Sequence, residues 1–187
     1  MPQPLSDEDL VRLYVKTQSA VYFDEIYERY ANKVYGKCIA LLHNEDAAQD
    51  ALQDIFLKIF LNIANFNLNS RFTTWVYAVC YNYCIDFIRK QRKTRELFDD
   101  TEIEQCPDLE DVSDTEIAQI EGEDLVKVLH LLNQDDRLIL LMKYQDNMQI
   151  KEICDVLNKS ESAVKMQLKR AKQRAKDYYL TVVKPKR

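Results

Sequence analysis

Ser162, Lys165, Met166, Lys169 and Arg170 are spaced to do one kind of chemistry, the gripping and reading of a polyanion. At about 100° per residue they share, with Gln173, the outer face of a helix whose inner stripe is Val164, Leu168, Ala171 and Ala175. Lys and Arg neutralise phosphates, and side chains near a helix start can reach base edges in a groove. Two turns of sequence upstream position that helix. Ser160 can cap it, and Asn158 can take the left-handed geometry of a tight turn. Ile150, Ile153, Cys154 and Leu157 form the inner face of a short helix before the turn. Helix, three-residue turn, helix is the layout that places its second member in a DNA major groove. An ordinary amphipathic surface helix shows the same stripe, but the capped helix and short turn ahead of it favour the DNA-reading layout.

A second constellation lies about ninety residues earlier. Ser70 can cap a helix from Arg71 to about Arg92, with a core stripe expected at Phe72, Val76, Val79, Cys80, Tyr83 and Phe87. Another line carries Arg71, Ala78, Asn82 and Arg89 beside Trp75, and leads into Lys90, Arg92, Lys93 and Arg95. Cations interleaved with aromatics suit melted DNA, because phosphates meet Lys and Arg while bases stack or enter pockets. A basic helix end is also what the helix dipole favours by itself, and both readings fit these residues. The helix expected from Glu45 to Ile63, capped by Asn44, has Ala48, Leu52, Ile55, Phe56, Ile59, Phe60 and Ile63 on its core stripe. Its opposite side gathers Asp50, Gln53, Asp54, Leu57 and Leu61. Leucines among carboxylates on an outer face mark a partner surface, unless the preceding long helix covers them.

The remaining sequence sets the frame. Only 2 Gly and 4 Pro occur in 187 residues, and long apolar-periodic runs dominate, so the expected fold is all-α. Ser6 opens a helix to about Lys16, and a longer one runs from Ala20 to about Leu42, with Asn65 to Asn69 a loop. The net charge of −5 averages uneven segments. Asp99 to Asp124 holds twelve acidic residues and no Lys or Arg, while residues 125–187 carry 14 basic against 7 acidic. Two small helical domains are therefore expected, residues 1–95 and 123–187, joined by an acidic linker over 96–122. No run approaches the roughly 20 apolar residues that span a membrane, and no secretory pattern opens the chain, so a cytoplasmic protein without membrane insertion is expected. The five cysteines, Cys38, Cys80, Cys84, Cys106 and Cys154, read as reduced, partly buried thiols. Cys80 and Cys84 sit one turn apart, as a metal clip would, but His43 and His130 are remote in sequence, and no metal or cofactor is expected. No Gly-rich phosphate loop and no nucleophile–base set stands out, so the chain is not expected to be an enzyme.

Taken in order, these parts resemble an extracytoplasmic-function (ECF) sigma factor of bacterial RNA polymerase, over roughly Phe23 to Tyr179. Phe23 to Tyr27 with Tyr30 resembles the opening of the second conserved region. DAAQDALQDIFLKIF (46–60) resembles the helix that docks on the polymerase clamp, and FNLNSRFTTW (66–75) the family's loop and aromatic helix start. Arg137 to Tyr144 and the helix-turn-helix resemble the fourth region. The resemblance implies that Asp50, Gln53, Asp54, Phe56, Leu57 and Leu61 meet core polymerase. It implies a −10 promoter surface of Phe66, Asn67, Asn69, Ser70, Arg71, Trp75, Asn82, Arg89, Lys90 and Arg92, with a base captured at the loop. Ser162, Lys165, Met166, Lys169 and Arg170 would meet the −35 element. Promoter DNA, core polymerase and an anti-sigma factor are the implied partners. Asn67-Leu68-Asn69 departs from the family's usual loop, and Met166 stands where small polar residues are frequent. A helix-turn-helix regulator acting without polymerase is the competing reading; it leaves Leu57 and Leu61 unexplained.

Overall fold

The computed structural model describes residues 5–67, 71–95, 112–118, 120 and 122–184. Among the described residues every regular element is helical, and the chain divides into two compact units, 1–99 and 100–187.

The first unit is built from α1 (Asp7–Thr17), α2 (Ala20–Leu42), α3 (Glu45–Asn62, closing in a 3-10 turn over Ile63–Asn65) and α4 (Phe72–Arg95). Local chemistry sets the limits. Ser6 Oγ accepts from the Asp9 amide and Asn44 Oδ1 from the Ala47 amide, each satisfying a helix-start N–H that has no partner in its own helix. Gln18 and His43 end α1 and α2 in left-handed geometry. Ile26, Tyr30, Val34, Cys38 and Leu41 of α2 recur every three to four residues and bury against Ala48, Ala51, Ile55 and Ile59 of α3 and Phe72, Val76, Cys80 and Cys84 of α4.

Two stripes differ from expectation. On α4 the buried line is Phe72, Val76, Tyr77, Cys80, Tyr81, Cys84, Ile85 and Ile88, while Val79, Tyr83 and Phe87 are only half-buried. Both α2 and α3 pack on this helix, which widens and rotates its apolar face beyond a single-neighbour stripe. On α3, Phe60 was expected in the core but is 48% exposed; its ring lies at the margin, edge-on to Phe23 at 5.2 Å.

The first helix has a role the sequence did not announce. Asp7 accepts from the Arg29 guanidinium at 2.7 Å and from the Tyr30 hydroxyl, which also meets Thr73 Oγ1 at 2.7 Å. Glu8 Oε1 accepts from the Phe72 amide at 3.0 Å. A residue 64 positions away in sequence thus caps the start of α4. Ser70, expected as that cap, lies outside the described residues.

The second unit contains α5 (Asp114–Ala118), α6 (Gly122–Leu131), α7 (Gln134–Leu140, running into a π-helical turn over Leu141–Gln145), α8 (Ile150–Leu157) and α9 (Glu161–Tyr178, running into a π-helical turn over Tyr179–Val183). Its core includes Ile139, Met142, Met148, Ile153, Val164, Leu168 and Ala171. The last part of the stretch expected as linker belongs to this unit. Val112, Ile117 and Ile120 are buried, and α5 packs on α9. Lys172 Nζ donates to the Val112 carbonyl at 2.6 Å and pairs with Asp114 at 3.0 Å, and Lys176 pairs with Glu116 at 2.9 Å. Three apolar residues among the carboxylates are enough to dock the segment once α9 presents two lysines.

This attachment should depend on pH. Hydrogen bonds from Tyr144 and then Lys172 lower the Asp114 pKa, and the Lys176 hydrogen bond brings Glu116 down to about 2. Carboxylates with depressed folded values stabilise above their unfolded values and lose that contribution as pH falls through the folded ones. Both side chains are largely exposed, so the effect is local and modest. Amide exchange at Ile117 and Ile120, relative to intrinsic rates, should therefore accelerate as pH falls from about 4 toward 2, with Val164 and Leu168 unchanged. Unchanged protection at Ile117 would remove the ion pairs as the cause.

Candidate nucleic-acid interface

Three surfaces carry the residues singled out in the sequence. The first is the outer face of α3. Asp50, Gln53 and Asp54 are exposed there, with Leu57 at 56% and Leu61 at 65%. The preceding helix does not cover them. Phe60, one turn after Leu57 and next to Leu61, together with Tyr27 of α2, extends the apolar strip. The sequence reading missed both because a helical stripe alone does not distinguish a margin from a core. Phe56, expected among the docking residues, is buried with its ring 4.5 Å from that of Tyr27, so it supports the surface from beneath. Asp54 is anchored to α4, accepting from the Tyr83 hydroxyl at 2.7 Å. Burial first, and then this carboxylate, push Tyr83 up to about 12.

The second surface lies along α4. Trp75, Asn82 and Arg89 follow one another at seven-residue intervals, two turns each, and so share a face. Trp75 is half-buried, while Asn82 and Arg89 are exposed, as are Arg71, Lys90 and Asn67. Phe66 corrects an expectation. It was assigned to nucleic acid, but its ring is 8% exposed, packed 5.3 Å from Phe72 and 5.7 Å from Trp75. Trp75 and Phe72 stack at 5.7 Å with a 24° interplanar angle. The aromatic cluster therefore fixes the indole and the start of α4, with Trp75 its half-exposed member. Asn69, Ser70 and the Arg92 side chain lie outside the described residues.

The third surface is the pair α8 and α9. Gln149 and Glu152 form a reciprocal cap at the start of α8, Asn158 turns with φ 51°, and Ser160 Oγ accepts from the Ala163 amide at 3.3 Å. The stripe Val164, Leu168, Ala171 and Ala175 is buried throughout. Ser162, Lys165, Met166 and Arg170 are exposed and Lys169 is half-buried. Lys165 pairs with Glu161 at 2.6 Å in a fully solvated setting, a contact that a phosphate can replace at small cost. Gln173, read as outward-facing, is half-buried, and its Oε1 is buried without a partner among the described residues while its Nε2 donates to Asp177. Arg174, which the periodicity did not single out, pairs with the buried Asp136. A shallow groove lies beside Met166 and Arg170, flanked by Lys159 and Gln167.

Taken together, the first unit offers an exposed acidic and apolar strip and, on another helix, an aromatic and cationic line. The second unit offers a projecting basic helix. Residues 26–94 match the family model for sigma-70 region 2, and residues 122–174 match that for sigma-70 region 4. The chain is 29% identical to the ECF RNA polymerase sigma factor SigW of Bacillus subtilis, across 81% of this chain and 85% of that protein. It is likewise 29% identical to the ECF RNA polymerase sigma factor SigM of the same organism, across 83% and 94%. In fold it is similar to the sigma factor RpoE of Bartonella quintana, solved in complex with the anti-sigma factor NepR, with a TM-score of 0.61 at 19% identity over 86% of this chain and 97% of that one.

Proposed function

The chain belongs to the extracytoplasmic-function sigma factors of bacterial RNA polymerase, and from that premise we propose how its residues divide the work. The outer face of α3 (Asp50, Gln53, Asp54, Leu57, Leu61) docks on core polymerase. The line Trp75–Asn82–Arg89, with Arg71, Lys90 and the loop through Asn67, reads and holds the melted −10 element. The α9 face (Ser162, Lys165, Met166, Lys169, Arg170) reads the −35 element. Residues 1–95 and 123–187 are the two working domains, the second braced by the docked segment from Val112 to Ile120. Catalysis stays with the polymerase, and the protein acts in the cytoplasm, where an anti-sigma factor is its inhibitory partner.

The observation that carries this reading is the seven-residue repeat Trp75–Asn82–Arg89, half-buried at Trp75 and exposed at Asn82 and Arg89, along one face of a helix whose start is fixed by packed aromatics. Such a line can hold an unstacked base beside a tracked backbone. Binding the melted strand better than the duplex draws the equilibrium toward the open state without nucleotide hydrolysis. Across the two units, phosphate contacts supply affinity and base contacts supply sequence choice.

Run-off transcription tests the proposal: purified chain added to sigma-free core polymerase on fragmented genomic DNA of the source organism. Discrete new transcripts are expected. Asn82→Ala should reduce open-complex formation about tenfold or more while leaving core binding intact, and Arg170→Ala should weaken −35 binding and flatten its salt dependence. Equal loss of core binding and melting in Asn82→Ala would sink the role given to α4. Tight duplex binding by the free chain, with no transcripts and no association with core, would replace the reading with that of a stand-alone regulator.

A further inference from the structure

Cys38 of α2 and Cys80 and Cys84 of α4 turn their sulfurs toward one point inside the first unit. Cys38 Sγ lies 4.0 Å from Cys80 Sγ and 4.0 Å from Cys84 Sγ, and the three sulfurs all lie within 4.8 Å of one another. All three residues are fully buried at 0% exposure. Cys80 and Cys84 are one helical turn apart, and Cys38 comes from the helix packed across them. We propose that this trio binds a thiolate-seeking d10 metal ion, Zn²⁺ or Cu⁺, which bridges α2 and α4.

Geometry is the first argument. A zinc–thiolate bond of about 2.3 Å places sulfurs roughly 3.8 Å apart around a tetrahedral ion and roughly 4.0 Å apart around a planar trigonal one. The two 4.0 Å separations already match, and only the third must close slightly. The donor set is the second. Among the described residues it is sulfur alone, with no carboxylate or imidazole in the cluster, which disfavours hard, oxygen-seeking cations and selects soft ones. Charge is the third. Three thiolates in a core require compensation, which the cation supplies in part. On binding, each cysteine gives its S–H proton to solvent and its sulfur pair to the ion, with no change of oxidation state.

Burial confines either outcome, a metal or a disulfide, to the time of folding, and reducing conditions leave the metal. An oxidant must reach a sulfur in the folded protein, and none of the three is accessible. A metal ion is captured as the unit folds and is then enclosed. Once bound, it ties the helix bearing Asn82 and Arg89 to its main support.

The full-length chain, refolded under reducing conditions with zinc sulfate or with Cu⁺ as its acetonitrile complex and then desalted, tests the site. One equivalent of either ion should be retained, three sulfur neighbours should appear at about 2.3 Å in X-ray absorption, and the melting midpoint of the first unit should rise. Cys80→Ser and Cys84→Ser should lose the ion, while Cys106→Ser and Cys154→Ser keep it. Retention by Cys80→Ser and Cys84→Ser, or nitrogen and oxygen coordination in the wild type, would overturn the proposal. So would a folded, reduced wild type that keeps neither ion. Should the serine variants not fold, the wild-type absorption spectrum alone decides.

Discussion

Arg137→Ala is expected to unfold the second unit at temperatures where the first still stands. Arg137 is 3% exposed, and its guanidinium donates to the carbonyls of Leu129, His130 and Leu132. The first two carbonyls end α6 and the third directly follows it, where no further turn of helix supplies amides. One planar fork thus satisfies several orphan acceptors, which a lysine ammonium cannot do in the same geometry. Truncation strands those carbonyls and leaves a void, at a cost of about 3–5 kcal/mol against roughly 5–15 kcal/mol for a whole domain. The melting midpoint of the second unit should fall by about 10 °C or more. The sole tryptophan, Trp75, lies in the first unit, so its fluorescence follows that unit while far-ultraviolet circular dichroism follows both. A single transition shifted equally in both signals would contradict the assignment.

The paired change Leu57→Arg and Leu61→Arg should weaken association with core polymerase by about a hundredfold or more, as expected for apolar anchors at an interface centre. Because both side chains already face solvent, the fold should hold within about 0.5 kcal/mol. Phe56→Ala should behave differently. Its ring is buried against Tyr27, so the first unit should lose about 3–5 kcal/mol, and any binding defect would follow from that. Titration of labelled chain against sigma-free core, alongside thermal melts, separates the two cases. Unchanged affinity in the arginine pair would move the docking surface away from α3.

How far the sequence reached depended on whether a signal was local. Ser6, Asn44 and Ser160 could be recognised as caps because a cap reads only the next three residues, and each accepts the expected amide. The α9 stripe Val164, Leu168, Ala171 and Ala175 was legible because that helix alternates apolar and charged residues cleanly. The α4 stripe was not, because a 24-residue helix rich in tyrosine offers several apolar lines, and two neighbours decide which is covered. Phe66 and Trp75 are both aromatic residues of one loop-and-helix start; only packing makes one a buried support and the other half-exposed. The linker's true extent turned on lysines some sixty residues downstream. Cys38 and Cys80 are separated by 42 residues, so periodicity could offer Cys80 and Cys84 as a pair but never the third sulfur.

The clasp made by α1 has a bearing on the order in which this protein can assemble as it leaves the ribosome. Asp7 and Glu8 are synthesised well ahead of the helix they clasp: Glu8 completes its contact only when the Phe72 amide exists, and the Tyr30 hydroxyl meets Thr73 only one residue later. The opening segment must therefore wait through some sixty residues of synthesis before it closes. By contrast, the described ties of the second unit, from Val112 to Lys184, join partners made entirely after the first unit is finished. Synthesis in the amino-to-carboxyl direction, with domains folding as units, thus finishes the half bearing Asn82 before the first contact of the half bearing Arg170 can form.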